Sequence, residues 1–363
     1  YNAGIKEPFI YKCTDILEKS MGDIYSSLKT KKKAIKEIIY AEEENYLSTL
    51  EKGLNLINKL TKNTDKISGE EIFKLYDTYG FPTEIIQEIA SEKNISLDMM
   101  SFEKLMSKQK NLSKKNTAFS SDALGFVDKN LISSFEGYNQ NSLSAKVLAI
   151  YKDGSIVDLV QVKDSELIII FDKTPFYPEG GGQISDIGVL ENNDCSLSIV
   201  NVQKIGNSIV HKAVLKNGTI KKSDKFNLKI DTRRRKSIAI HHSSTHLLHQ
   251  ALRDVLGNHV EQKGSLVTDA GLRFDFSHNK ALSKDEISRI EKIIAFEIDE
   301  AKKTSINQMS YKDAIKAGAL AFFDEKYEDD VRVLNIGTKS MELCGGTHVD
   351  NTNDIKIFKI LNE

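Results

Sequence analysis

Near residue 143 the apolar repeat of this chain changes period, so no single architecture can hold all 363 residues. Before that point apolar side chains return every three or four positions, the spacing of one stripe on a helix. In KAIKEIIYAEEENYLSTLEKGLNLINKL the stripe is Ile35, Ile38, Ile39, Tyr46, Leu47, Leu50, Leu54, Ile57 and Leu60. Ser68 and Glu71 stand at capping-box spacing, where each satisfies a free amide at a helix start. Gly80 and Pro82 then form a stop signal. Two further amphipathic helices are expected over TEIIQEIASEK and MMSFEKLMSKQK, and the polar run KNLSKKNTAFSSD reads as a linker around 110–123.

Beyond the change, β-branched runs such as AKVLAIY, SIVDLVQV, ELIIIFD, SIVHKAVL and FNLKI alternate with turn pairs like Asp153-Gly154 and Asn217-Gly218. Short strands at regular spacing predict a small barrel or sandwich over 143–230. After Asp231 the types mix. Helices are expected over SIAIHHSSTHLLHQALRDVL and SKDEISRIEKIIAFEIDEAKK, with strands GSLV, LRFDF and VRVLNI around them. The reading is a multidomain α+β chain: 1–118 helical, 119–142 linker, 143–230 β-barrel-like, and 231–363 α+β.

Composition narrows the function less than the pattern does. With 51 basic against 52 acidic residues, the whole chain offers no global attraction to nucleic acid. Its basic charge is uneven, since Arg233, Arg234, Arg235 and Lys236 adjoin. Three cysteines at unrelated spacings give no disulfide framework and suit a reducing compartment, so a cytoplasmic location is expected. No signal peptide or run of membrane-spanning length is visible, so no membrane partner is expected. Tyr1 in place of methionine, and an end directly after KIFKILNE, read as cut ends.

The chemistry concentrates in two places. His242 and His246 are four apart, so both imidazoles leave one face of a helix, the geometry of a helical zinc pair. Alone, the pair fits two solvated surface histidines equally well. Cys344 and His348, flanking Gly-Gly-Thr in ELCGGTHVD, add a thiolate and a third imidazole. The four together make a Cys-His₃ set for one tetrahedral Zn²⁺ per chain. His241 and His249 are left outside that set, and Cys344 alone would read as a small buried hydrophobe. Four protein ligands describe a closed structural zinc, whereas a hydrolytic zinc keeps a position open; both stay open here. The second place is TPFYPEGGGQISDIG, residues 174–188. Three successive glycines suit a turn where backbone passes close to a ligand, with a plain hairpin as the alternative. The lysine and hydroxyl of a P-loop are missing.

HHSSTHLLHQAL with ELCGGTHV resembles the zinc-binding editing domain of the alanyl-tRNA synthetases (alanine–tRNA ligases). That domain is shared with free-standing editing proteins and related to the threonyl enzyme's. TPFYPEGGGQISDIG resembles the family's hairpin, and KAGALAFFDEKYEDDVRVL is similar as well. GIKEPFIYK, AEEENYLSTLEKGL and GEEIFKLYDTYGFP resemble its tRNA-recognition region. The resemblance implies an internal fragment. The class II catalytic domain, with its ATP and Mg²⁺, would precede Tyr1, and the tRNA-binding and oligomerising region would follow Glu363.

It implies an activity too: hydrolysis of mischarged Ser-tRNA(Ala) and Gly-tRNA(Ala), since an alanine pocket rejects glycine and serine poorly. Gln183 with the backbone of Gly181 and Gly182 would fix the aminoacyl group. Ser243 or Thr245 would meet a serine hydroxyl. Arg233, Arg234, Arg235 and Lys236 would contact tRNA phosphates, an ordinary charged helix start being the competing reading. A free-standing trans-editing deacylase and a non-catalytic zinc-stabilised tRNA-binding module are the alternatives.

Overall fold

The computed structural model describes residues 7–62, 64–115, 124–321 and 329–363. They fall into two compact units, Tyr1–Ala118 and Phe119–Glu363, each with its own core. No described helix is long and apolar enough to cross a membrane. Of the stretches that carried the resemblance, residues 4–6 and 322–328 lie outside the described residues.

The first unit is helical. Helices α1 (Cys13–Met21), α2 (Ser26–Thr30) and α3 (Lys32–Leu60) lead to strand β1 (Lys66–Ile67). Then come α4 (Gly69–Asp77), α5 (Thr83–Glu92), β2 (Ser96–Leu97), which pairs parallel with β1, and α6 (Met99–Lys115). Ser68 caps α4 as its spacing dictates: its hydroxyl accepts from the Glu71 amide at 3.3 Å, and the Glu71 carboxylate accepts from the Ser68 amide at 2.8 Å. The apolar stripe of α3 is buried only in its second half. Leu50 and Ile57 join Ile67, Ile72, Leu75, Phe81, Ile86, Ile89 and Phe102 in one core, whereas Ile38 is 60% exposed. Gly53 lies where the Phe81 ring crosses α3, and a Cβ there would fall 2.1 Å from the ring.

The second unit opens with β3 (Ser134–Phe135), β4 (Ser142–Lys152), β5 (Ser155–Val157), β6 (Leu159–Val160), β7 (Glu166–Phe171) and β8 (Lys173–Thr174). It continues through β9 (Gly188–Glu191), β10 (Ser196–Ile205), β11 (Ser208–Asn217), β12 (Ile220–Lys221) and β13 (Lys225–Ile230). Six of these close into an antiparallel barrel in the order β13-β9-β10-β11-β7-β4, with β13 returning to β4. Alternation decides what fills it. In β13, Phe226, Leu228 and Ile230 point inward between exposed residues, and closure leaves no bare edge.

The expected linker needs correcting. Helix α6 runs on to Lys115, so the run placed around 110–123 begins helical; residues 116–123 lie outside the described residues. The rest of the expected 119–142 linker packs on the barrel. Leu124 and Val127 are buried with Ala149, Ile170 and Val210, the Ser133 hydroxyl donates to the Phe171 carbonyl at 2.6 Å, and β3 pairs with β8. A few anchoring side chains hold it, too sparse to show a period.

The remainder is α+β. Helix α7 (Thr232–Leu256) precedes the hairpin β14 (Gln262–Val267) and β15 (Leu272–Phe276), then α8 (Lys284–Asp299). Strand β16 (Ser305–Ser310), helix α9 (Tyr311–Lys316), β17 (Asp330–Ile336) and β18 (Ser340–Leu343) follow, with the strands in the order β16-β17-β18. Leu247, Leu248, Ala251 and Leu252 of α7 pack on Ile290, Ile294 and Ile298 of α8 and on Leu334 and Ile336 of β17. This places α7 beside the end of β18, and the two halves of the Cys-His₃ pattern meet there.

Candidate metal centre

Helix α7 buries polar side chains that a one-faced helix would leave in water: His242, Ser243, Ser244, Thr245, His246 and His249. Each needs a partner, because an unpaired buried polar group costs about 1–3 kcal/mol. Their partners come from β18, from the loop after it, from Gln183 and from α7 itself. His242, His246, Cys344 and His348 each offer a ligand atom, all within 4.8 Å of one another. Cys344 Sγ lies 3.5 Å from His242 Nε2 and 3.3 Å from His348 Nε2. Bonds of about 2.0–2.3 Å to a tetrahedral ion put ligand atoms roughly 3.3–3.6 Å apart. His246 Nε2 is buried with no hydrogen-bond partner. A lone pair that points into a cluster of soft and borderline donors fits a metal ion.

The outer nitrogens are held as firmly. His242 Nδ1 lies 2.7 Å from Gln183 Oε1, His246 Nδ1 2.7 Å from Glu342 Oε2, and His348 Nδ1 3.4 Å from Ser243 Oγ. Such partners fix which nitrogen each ring would turn to a metal ion. Burial would push the Cys344 thiol up, but His242, His348 and His246 around it win and hold it well below its ordinary value. Burial likewise disfavours a charged His246, yet the Glu342 carboxylate and Cys344 raise it. Burial is decisive for His348, which it pushes down.

Backbone packing keeps the ligand loop close. A Cβ on Gly346 would fall 2.1 Å from His242 Cε1, so only glycine lets the loop lie against that ring. Arg332 donates to the carbonyls of Cys344 and Gly346 at 2.8 and 2.9 Å and stacks 4.2 Å over the Tyr138 ring. The Tyr138 hydroxyl donates to the Gly345 carbonyl at 2.5 Å.

Several expected substrate contacts are already engaged within the protein. Gln183 is fully buried: its oxygen accepts from the Thr347 amide at 3.0 Å as well as facing His242, and its Nε2 donates to Thr347 Oγ1 at 3.0 Å. It ties the hairpin to the ligand loop. Gly181 and Gly182 have φ of +56° and +79° and form the two central residues of a tight turn between Gly180 and Gln183. The Gly182 carbonyl accepts from the Val267 amide at 2.8 Å, and a Cβ on Gly182 would strike Ser265. The Ser243 hydroxyl accepts from the Val349 amide at 3.1 Å, and Thr245 donates to the His241 carbonyl at 2.9 Å.

The basic run divides. Arg235 is buried, paired with Asp186 and donating to the carbonyls of Gly137 and Pro175, so it is a barrel-to-helix tie and no phosphate contact. Arg234 donates to the Ser185 carbonyl at 2.6 Å. Arg233 and Lys236 are exposed. Of the two histidines left outside the ligand set, His241 faces the Thr268 carbonyl at 2.7 Å, and His249 is buried against Glu342 at 2.9 Å. Glu342 itself was missed. In sequence it reads as one more strand carboxylate, and only its burial against His246 and His249 marks it.

A family model described as tRNA synthetases class II (A) matches residues 1–234. A second, described as the threonyl and alanyl tRNA synthetase second additional domain, matches residues 331–363. The alanine–tRNA ligase of Rickettsia bellii (strain RML369-C) is 43% identical over 370 residues, which cover 99% of this chain and 42% of that protein. Those of Rickettsia rickettsii (strain Sheila Smith) and Rickettsia felis (strain ATCC VR-1525 / URRWXCal2) are 41% and 42% identical with the same coverage. The chain thus spans about two fifths of the length of these relatives.

The class II match overturns the expectation of an editing fragment whose ligase region lies elsewhere, because it takes in the whole helical unit and the whole barrel. Hydrolysis of Ser-tRNA(Ala) and Gly-tRNA(Ala), with its free-standing and non-catalytic alternatives, is not what that family's description names. Nor can ATP and Mg²⁺ be confined to a missing class II domain when the class II model matches residues present here.

Proposed function

Because the chain belongs to the class II tRNA synthetase (A) family, we propose that it is part of an alanine–tRNA ligase, an enzyme that joins alanine to tRNA(Ala) with ATP. The observation that carries this reading is identity of 43% along 99% of the chain to a protein of that name, alongside the class II match. The amino-acid carboxylate displaces pyrophosphate from ATP to give an acyl adenylate, and a tRNA terminal hydroxyl then takes the acyl group as an ester, releasing AMP.

The metal in this reading is Zn²⁺, one per chain, held by His242, His246, Cys344 and His348; a thiolate with three imidazoles is a borderline-soft set that suits it. Four protein ligands leave no place for water, so the ion's work is to pin the loop after β18 to α7. Arg233 and Lys236, exposed at the start of α7, are the members of the basic run left to meet tRNA phosphates. The protein that carries this chain is expected to charge tRNA(Ala) with alanine in an ATP-dependent reaction. Charging with a different amino acid only, measured by acid-stable tRNA esterification, would refute the reading.

A further inference from the structure

The three histidines of the Cys-His₃ set are backed by unlike groups. His242 faces a neutral amide and His348 a hydroxyl, while His246 faces the carboxylate of Glu342 at 2.7 Å. Glu342 is 1% exposed, and its second oxygen lies 2.9 Å from His249 Nδ1. An ionised carboxylate can only accept, so both imidazoles must carry their proton on Nδ1. A neutral His246, the form that can bind a metal, then has its lone pair on Nε2, which is buried, without a partner and aimed into the ligand cluster. His249 Nε2 is also buried and unpartnered, outside the ligand set, and the ring centroids of His249 and Phe274 are 5.5 Å apart.

We propose that Glu342 is the positioning residue of the metal centre: it fixes the tautomer and orientation of His246, with His249 holding its other oxygen. The proposal rests on the reading that the Cys-His₃ set binds a divalent ion. Charge supports it. A divalent ion with the Cys344 thiolate alone leaves one positive charge in a buried site, and the Glu342 carboxylate brings the sum to zero. His249 prevents the carboxylate from turning away, because both oxygens are then engaged by donors three residues apart on α7.

The test is cobalt(II) titration of this chain and its Glu342→Gln, Glu342→Asp and Cys344→Ala variants, read by visible absorption, with circular dichroism reporting the fold. Glutamine has one acceptor oxygen where the carboxylate has two, so it cannot accept from both His246 and His249, and it removes the charge and the fixed tautomer at nearly constant volume. Glu342→Gln is expected to bind cobalt about tenfold more weakly or worse, with shifted d–d bands. Glu342→Asp is expected to recover part of that loss, and Cys344→Ala to lose the sulfur-to-cobalt band. Equal affinity and spectra for the wild type and Glu342→Gln would overturn the role of Glu342 and leave the metal reading standing. Equal loss in Gln and Asp would make Glu342 a packing residue and overturn it too. A wild-type chain that takes up no cobalt would remove the proposal and the metal reading together.

Discussion

His211 shows what the barrel interior does to a titratable side chain. It is fully buried, with Nδ1 3.2 Å from the Ile169 carbonyl and Nε2 2.8 Å from Thr174 Oγ1. A carbonyl only accepts, so Nδ1 carries the proton and Nε2 accepts from the Thr174 hydroxyl. Burial pushes the group down to about 4 from 6.5. Between those values the unfolded chain takes up a proton that the folded barrel refuses, so stability falls as pH drops from about 6.5 to about 4. The loss is about 3 kcal/mol, and urea midpoints at pH 7 and 4.5 should show a steeper acid loss for the wild type than for His211→Gln. Arg235 gives a second test. Its guanidinium serves Asp186 and two carbonyls in a buried site, so Arg235→Ala strands a buried carboxylate. A cost of about 3–5 kcal/mol is expected in the same urea assay.

At the scale of elements, strongly periodic segments were legible and short or polar ones were not. The α3 stripe, the Ser68 cap and the long barrel strands follow from spacing alone. Strand β9 hid in the tail of the glycine hairpin, yet it stands between β13 and β10 and the barrel could not close without it. Strand β16, reading SINQMS, has no apolar alternation because most of its residues are exposed, so only its pairing with β17 defines it. The four side chains of the Cys-His₃ cluster were legible as a group because ligand chemistry restricts residue types, and the fold brings their ligand atoms within 4.8 Å of one another. The roles of Gln183, Ser243 and Arg235 were not, because a buried hydrogen bond looks in sequence like any available polar group. Packing on α3 is testable directly. Gly53→Ala places a methyl group in the Phe81 ring and should destabilise the helical unit by about 1–3 kcal/mol in thermal unfolding followed by helical ellipticity.

At the scale of the whole molecule, the two units differ in what holds them. The unit of residues 1–118 rests on an apolar core, with no metal-ligating cluster among its described residues. In the unit of residues 119–363 the Cys-His₃ set joins α7 to the loop after β18, about a hundred residues apart in sequence. Anything that binds only the folded state stabilises it by mass action, so removing the ion should lower the unfolding temperature of the second unit and leave the first unchanged. Scanning calorimetry with and without a chelator would separate the two transitions. The most direct test of the split metal centre is X-ray absorption at the zinc edge on the purified chain, with the metal content measured on the same sample. One zinc per chain is expected, with one sulfur at about 2.3 Å and three nitrogens at about 2.0 Å. A chain with no stoichiometric metal, or a shell without sulfur, would contradict it.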